Sequence, residues 1–198
     1  MTTSAAGVAA MAEQPSYEAL IAAVRAGDHD AFAELFRRNA DQVRARVTRL
    51  VGPVSERDDL IQQIFLRLYQ ALPTYRGDCT LPTFLHRIAV TISLDHLRAT
   101  RRRPVEPLPD QALDPLIGPE TNEAARAQAR EELRTLFRLL QALDADKRLA
   151  FLLVAVEGMS LAEAGAMVGA RADAVKQRVL AARRRLRELL AAEKARHE

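Results

Sequence analysis

Cysteine is almost absent from this chain of 198 residues: Cys79 stands alone. One thiol makes no intramolecular disulfide and leaves a cysteine-based zinc site without its ligands. The four histidines, His29, His86, His96 and His197, are scattered, with no pair at metal-ligand spacing, so neither a metal nor another cofactor is expected. Tryptophan is missing, aromatics make up 5%, and glycine and proline number only 8 and 9. A strand-rich barrel or sandwich needs more of those residues. No apolar run approaches the roughly 18–20 residues of a membrane span, and membrane insertion is not expected. Residues 1–15 lack a basic start ahead of a long apolar core, so they are read as a disordered tail rather than a secretory signal. Met1 and Met11 both stay open as the start, and the expected location is the cytoplasm. An excess of one charge is also lacking: 29 Lys+Arg face 26 Asp+Glu, a net of +3.

What the chain does have is Ala, Leu, Arg and Glu, the composition of a helical protein. Helical spacing begins at Tyr17, Leu20, Ile21 and Val24 and is interrupted by Gly27-Asp28. A longer stripe, Phe32, Leu35, Phe36, Val43, Val47 and Leu50, stops at Gly52-Pro53. Ser55 and Asp58 have the spacing of a capping box ahead of Leu60, Ile61, Ile64 and Leu68. Residues 74–80 (TYRGDCT) are expected to form a loop, with Gly77 and Asp78 as its turn. Pro82 then suits the first turn of a helix with the stripe Leu85, Ile88, Ile92 and Leu97, which runs out into Arg101-Arg102-Arg103.

Residues 104–123 hold five of the nine prolines, five acidic residues and no basic one, which predicts an extended linker rather than a packed element. Helical spacing resumes at Leu133, Leu136, Phe137, Leu140 and Leu143, and again at Leu149, Leu152, Leu153 and Val156, closed by Gly158. The expected fold is therefore all-α: a domain over 16–103, a linker over 104–123 and a second domain over 124–198. Split this way, the small net charge becomes +4, −5 and +5, with Glu13 in the tail supplying the remaining −1. Two basic domains are masked by an acidic connector.

In the second domain, Ser160 and Glu163 form a capping box that opens a short helix ending near Gly169. A basic helix follows from about Ala172. Short helix, Gly-containing turn and second helix make a helix-turn-helix, whose second helix begins against base edges in the major groove. Lys176, Gln177 and Arg178 stand at that place. Between Arg171 and Arg187 there are seven basic residues and one acid, and the later arginines, Arg183 and Arg184 among them, suit phosphates. Arginines near a helix C-terminus also suit the macrodipole without any DNA. The capped helix and the turn ahead of the run favour DNA binding.

Several segments together resemble the extracytoplasmic-function (ECF) sigma factors. They are Gly27-Asp28 with Ala31-Phe32 and Leu35-Phe36-Arg37-Arg38; Asp58-Asp59-Leu60-Ile61-Gln62-Gln63-Ile64-Phe65-Leu66; Tyr75-Arg76-Gly77-Asp78 with Thr83-Phe84-Leu85-His86-Arg87-Ile88-Ala89; Leu94-Asp95-His96-Leu97-Arg98; and Val156-Glu157-Gly158-Met159-Ser160 with Val175-Lys176-Gln177-Arg178. The resemblance implies a protein that binds core RNA polymerase, recognises promoter DNA at its minus-10 and minus-35 elements, and starts transcription. It implies core binding by Asp58, Asp59, Gln62, Gln63 and Phe65, and minus-35 contact by Arg171, Lys176, Gln177, Arg178, Arg183 and Arg184. For the minus-10 element it points to Arg76, Asp78, Thr80, His86, Arg87, Thr91, Arg98, Arg101 and Arg102, with the loop capturing an unpaired base. It also implies an anti-sigma factor as partner.

Some positions depart from that family's pattern. Phe84 stands for a usual Trp, and Val90-Thr91 for a usual Arg-Asn pair, which bears on minus-10 readout. Ala164-Gly165 replaces Ile-Ala, and an interior glycine costs about 1 kcal/mol relative to alanine. Arg171 occupies a cap position, and Leu180-Ala181 replaces a polar, basic pair. A less stable second domain with altered minus-35 specificity is the expectation. A stand-alone helix-turn-helix regulator using only residues 130–190 is the competing reading. No catalytic constellation marks an enzyme.

Overall fold

The computed structural model describes residues 14–100, 110–118 and 122–195. The tail expected over 1–15 lies almost wholly outside them, as do Arg101, Arg102 and the first part of the linker. Among the described residues the fold is all-α.

Four helices form the N-terminal unit: α1 (Tyr17–Arg25), α2 (His29–Val51), α3 (Arg57–Ala71) and α4 (Leu81–Ala99). The Ser16 hydroxyl accepts the Ala19 N–H at the start of α1, and the Asp28 carboxylate accepts from Asp30 and Ala31 at the start of α2. Gly52 ends α2 at φ +85°, a backbone region that a side chain would strain. Thr80 caps α4 by accepting from Thr83. The capping box expected at Ser55 and Asp58 does not form. Val54 accepts the Arg57 N–H in a tight turn, α3 starts one residue late, and the Ser55 hydroxyl bonds Glu56 instead. Leu35, Val47, Ile64, Leu68, Leu85, Ala89, Val90 and Leu94 fill the middle of the unit and are fully buried or nearly so. Asn39, the longest buried polar side chain there, is satisfied by the Leu35 carbonyl and the Tyr17 hydroxyl.

The C-terminal unit holds α5 (Glu123–Gln141), α6 (Ala145–Phe151), α7 (Leu161–Val168) and α8 (Ala172–Lys194). Between α6 and α7 the chain widens into one π-helical turn, Leu152–Val156. Phe137, Leu140, Leu149, Leu152, Leu153, Val175 and Val179 make its core.

The linker differs from the expected free tether. Asp110–Leu116 form a 3-10 helix that packs on α2 and α5. Leu113 is only 1% exposed, and Arg130 grips Asp114 through two hydrogen bonds of 2.8 and 3.2 Å. Leu113 and Leu116 carry enough apolar surface to hold a short strap down despite the prolines on either side. The strap and the Phe137 ring, which lies 3.2 Å from where a Gly52 Cβ would sit, join both units into one continuous core.

Candidate polymerase and DNA interfaces

Helix α3 shows two chemistries. Leu60, Ile61, Ile64 and Leu68 face the core, while Asp58, Asp59, Gln62 and Gln63 are exposed. Phe65, expected among the exposed contacts, is instead 3% exposed. Its ring packs on Phe36 with centroids 4.5 Å apart, so it supports the polar face from beneath. Leu66 is the residue that sequence reasoning missed: it is 57% exposed. It lines a groove of about 400 Å³ with Gln63, Gln70, Ile88 and Thr91. The spacing 59, 62, 63, 66, 70 is one helix face and was available as a signal. An aliphatic residue inside an acidic, amide-rich surface is what a basic helical partner with one apolar stripe would cover.

Ahead of α4, the loop is fixed by Tyr75. Its hydroxyl donates to the Cys79 carbonyl, its ring packs on Phe84 at 5.1 Å, and Arg25 donates to the Leu72 and Tyr75 carbonyls. Burial pushes the Tyr75 phenol above its ordinary pKa. Anchored there, the loop presents Arg76, Asp78 and Thr80 to solvent. Arg87, Thr91 and Arg98 continue along α4 as one exposed stripe with Thr83 and Asp95. His86 is set apart from that stripe. It is half-buried, with Nδ1 3.6 Å from the Glu157 carboxylate.

Burial, and next the nearby Arg46 charge, push the His86 pKa below its ordinary 6.5; Arg49 and Arg87 act the same way, and Glu157 opposes them. Folding therefore favours neutral His86. Below pH 6.5 the unfolded chain binds the proton more readily, so this contribution to stability falls as pH drops from about 7 towards 5. Urea midpoints at pH 7.5 and 5.5 should differ in that direction, and His86→Gln should flatten the difference. Glu34, Asp114 and Glu163, whose pKa values are lowered by hydrogen bonds from Arg38, Arg130 and Ser160, contribute stability that is fully present above their ordinary values of 4.5, 3.8 and 4.5 and is lost only as pH falls below them.

In the C-terminal unit the expected capping box is complete. Ser160 accepts the Glu163 N–H, and the Glu163 carboxylate accepts the Ser160 N–H at 3.0 Å. Gly169 closes α7 in the left-handed region, and the Ala170 N–H returns to the Gly165 carbonyl at 2.9 Å. Helix α8 then starts at Ala172 with Arg171 as a cap that makes no side-chain bond. Its first turns expose Lys176 and Gln177, with Arg183 and Arg184 farther along. Arg178 is less free: it is half-buried and 3.4 Å from Asp146. Leu180 is 50% exposed between the two basic clusters.

A family model described as Sigma-70 region 2 matches residues 35–103, and one described as Sigma-70, region 4 matches residues 133–186. The chain is 34% identical over 172 residues to the ECF RNA polymerase sigma factor SigM of Mycobacterium tuberculosis, covering 86% of this chain and 83% of SigM. The chain belongs to the ECF sigma factor family. The ECF RNA polymerase sigma-E factor of Escherichia coli is 32% identical over 183 residues, covering 87% of this chain and 93% of that one. Among solved structures, CnrH in complex with the cytosolic domain of CnrY has a TM-score of 0.56 at 28% identity, covering 87% of this chain and 96% of that one. The sigma factor RpoE in complex with the anti-sigma factor NepR from Bartonella quintana shares the fold, with a TM-score of 0.56 at 22% identity, over 81% of this chain and 96% of that one. As an ECF sigma factor, this protein recognises promoters and initiates transcription with core RNA polymerase. No helix of the described residues is long and apolar enough to cross a membrane.

Proposed function

We propose that the work of this sigma factor is divided along the chain, with residues 16–103 holding core polymerase and the minus-10 element and 124–198 holding the minus-35 element. Asp58, Asp59, Gln62 and Gln63 grip the polymerase, joined by Leu66. Arg76, Asp78, Thr80, His86, Arg87, Thr91 and Arg98, with Arg101 and Arg102 beyond the described residues, meet the minus-10 strand. Lys176 and Gln177 read minus-35 base edges, and Arg171, Arg178, Arg183 and Arg184 hold phosphates or neighbouring bases. The observation that carries this reading is an exposed acid-and-amide face on α3 in the same chain as an exposed basic start to α8. A stand-alone DNA-binding regulator has no use for the first. The protein supplies specificity, the polymerase supplies the chemistry, and the site of action is the cytoplasm. Relatives solved with regulatory partners support an anti-sigma factor here too.

Run-off transcription with purified core enzyme tests the assignment. A promoter-specific transcript is expected only when this protein is added. Binding to duplex DNA alone with a steep salt dependence, and no new transcript, would instead fit a stand-alone regulator. Within the holoenzyme, Gln177→Ala should weaken recognition at one base pair by about 1–3 kcal/mol. Arg184→Ala should weaken all sequences alike and reduce the salt slope by about one.

A further inference from the structure

Helix α8 places its core contacts on Val175, Val179 and Ala182, which are buried, and turns Lys176, Gln177, Arg183 and Arg184 to solvent. One aliphatic side chain shares that outer face: Leu180, half exposed. On a helix the surface neighbours of a residue stand three and four positions away. For Leu180 these are Lys176, Gln177, Arg183 and Arg184, so the leucine occupies the middle of the minus-35 patch proposed above. Leu190, the other large apolar residue exposed on α8, has a different setting, in an apolar groove with Leu136, Leu139 and Leu186. The four residues around Leu180 on its helix offer it no apolar company. Leu180 is also only the ninth residue of α8, nearer its start than Arg183 and Arg184. In a helix-turn-helix that is the part of the second helix that enters the major groove.

An aliphatic group neither donates nor accepts, so among base edges it has one complement. The unmodified major groove presents a single apolar group, the 5-methyl of thymine. Against the polar edge of a G·C pair, the same side chain would strip water from donors and acceptors without replacing it. We propose that Leu180 is a specificity-determining residue of this sigma factor, selecting thymine in the minus-35 element by contact with the 5-methyl group. The proposal rests on the minus-35 assignment of α8. A helix rises about 1.5 Å per residue, so Leu180 stands about 4.5 Å beyond Gln177. Base pairs are about 3.4 Å apart, which puts the thymine one or two pairs from the pair that Gln177 reads.

The test uses holoenzyme assembled from the full chain and core polymerase, on barcoded promoter templates randomised across the minus-35 element. Sequencing the barcodes of run-off transcripts should show a preference for thymine at one position of one strand. Leu180→Ala should lose that preference and keep the others, while Leu180→Met, which retains an aliphatic contact, should keep it. The preferred promoter is then made with deoxyuridine at that position, which removes the methyl group and nothing else. Wild-type holoenzyme should bind it about 4-fold more weakly, the effect of one methyl-sized group leaving an apolar contact. Leu180→Ala holoenzyme should bind the thymine and uracil promoters alike. An equal uracil penalty in both would place the methyl contact elsewhere and overturn the proposal. So would a uniform loss on every promoter in Leu180→Ala, or a lost preference for a base other than thymine. Gln177→Ala on the same templates separates two failures. If it shifts a preference and Leu180→Ala shifts none, the thymine contact alone falls. If neither variant changes any preference, the minus-35 assignment of α8 falls and takes the proposal with it.

Discussion

Gly165→Ala should destabilise the C-terminal unit by about 1–3 kcal/mol, although helix propensity alone would stabilise it by about 1 kcal/mol. A Cβ at residue 165 would sit 2.5 Å from the Ala170 carbonyl oxygen. The obstacle is backbone, held between the left-handed Gly169 and the first turn of α8, and it cannot rotate aside as a side-chain tip would. The whole turn between α7 and α8 must open, and the recognition helix must shift with it. Urea denaturation of wild type and variant gives the sign directly. A gain of about 1 kcal/mol would mean that the two helices do not cross as closely as described. The glycine that composition treats as a weak point of α7 is the condition for the tight helix-turn-helix.

That reversal marks the limit of what one sequence displays. The helices themselves were legible, because their apolar stripes and stop signals are local: Gly52-Pro53, the Ser160–Glu163 box and Gly169 all act where they stand in the chain. The helix-turn-helix and its basic face followed from the same local logic. Contacts set by distant residues were not legible. Ala170 meets Gly165 only after the turn has formed, and Phe65 is buried because Phe36 lies opposite. Glu157 looked like one letter of a family pattern. Its burial against Arg46, 111 residues away, is a property of packing between the two units and leaves no trace in spacing.

The charge split shows both sides of this. A net of +3 concealed basic, acidic and basic segments, and that division was readable by counting. The use of those charges was not. Asp114 in the acidic connector is bound by Arg130, and Arg98 is bound to the C-terminal unit, so part of each segment's charge is engaged within the molecule. Charge that the sequence assigns to partners is first engaged by the chain itself.

Leu113→Ala should lower stability by about 2–5 kcal/mol, the range for truncating a fully buried leucine. If residues 104–123 were a solvated tether throughout, the same change would fall within about 0.5 kcal/mol of zero. Leu113 is 1% exposed on a strap that touches α2 on one side and α5 on the other. Its side chain therefore contributes to the cohesion of the two units as well as to the core of each. Wild-type protein, with one continuous core, should unfold in a single cooperative transition by both far-UV circular dichroism and energy transfer between the units. In Leu113→Ala the two probes should separate, with the units parting at lower urea than the helices melt. Asp114→Asn provides the contrast, since Asp114 pairs with Arg130 near the surface and such pairs contribute about 0–1 kcal/mol. Coincident transitions in Leu113→Ala at an unchanged midpoint would show that the strap does not couple the units. Separated transitions would place the coupling in a leucine that lies between prolines.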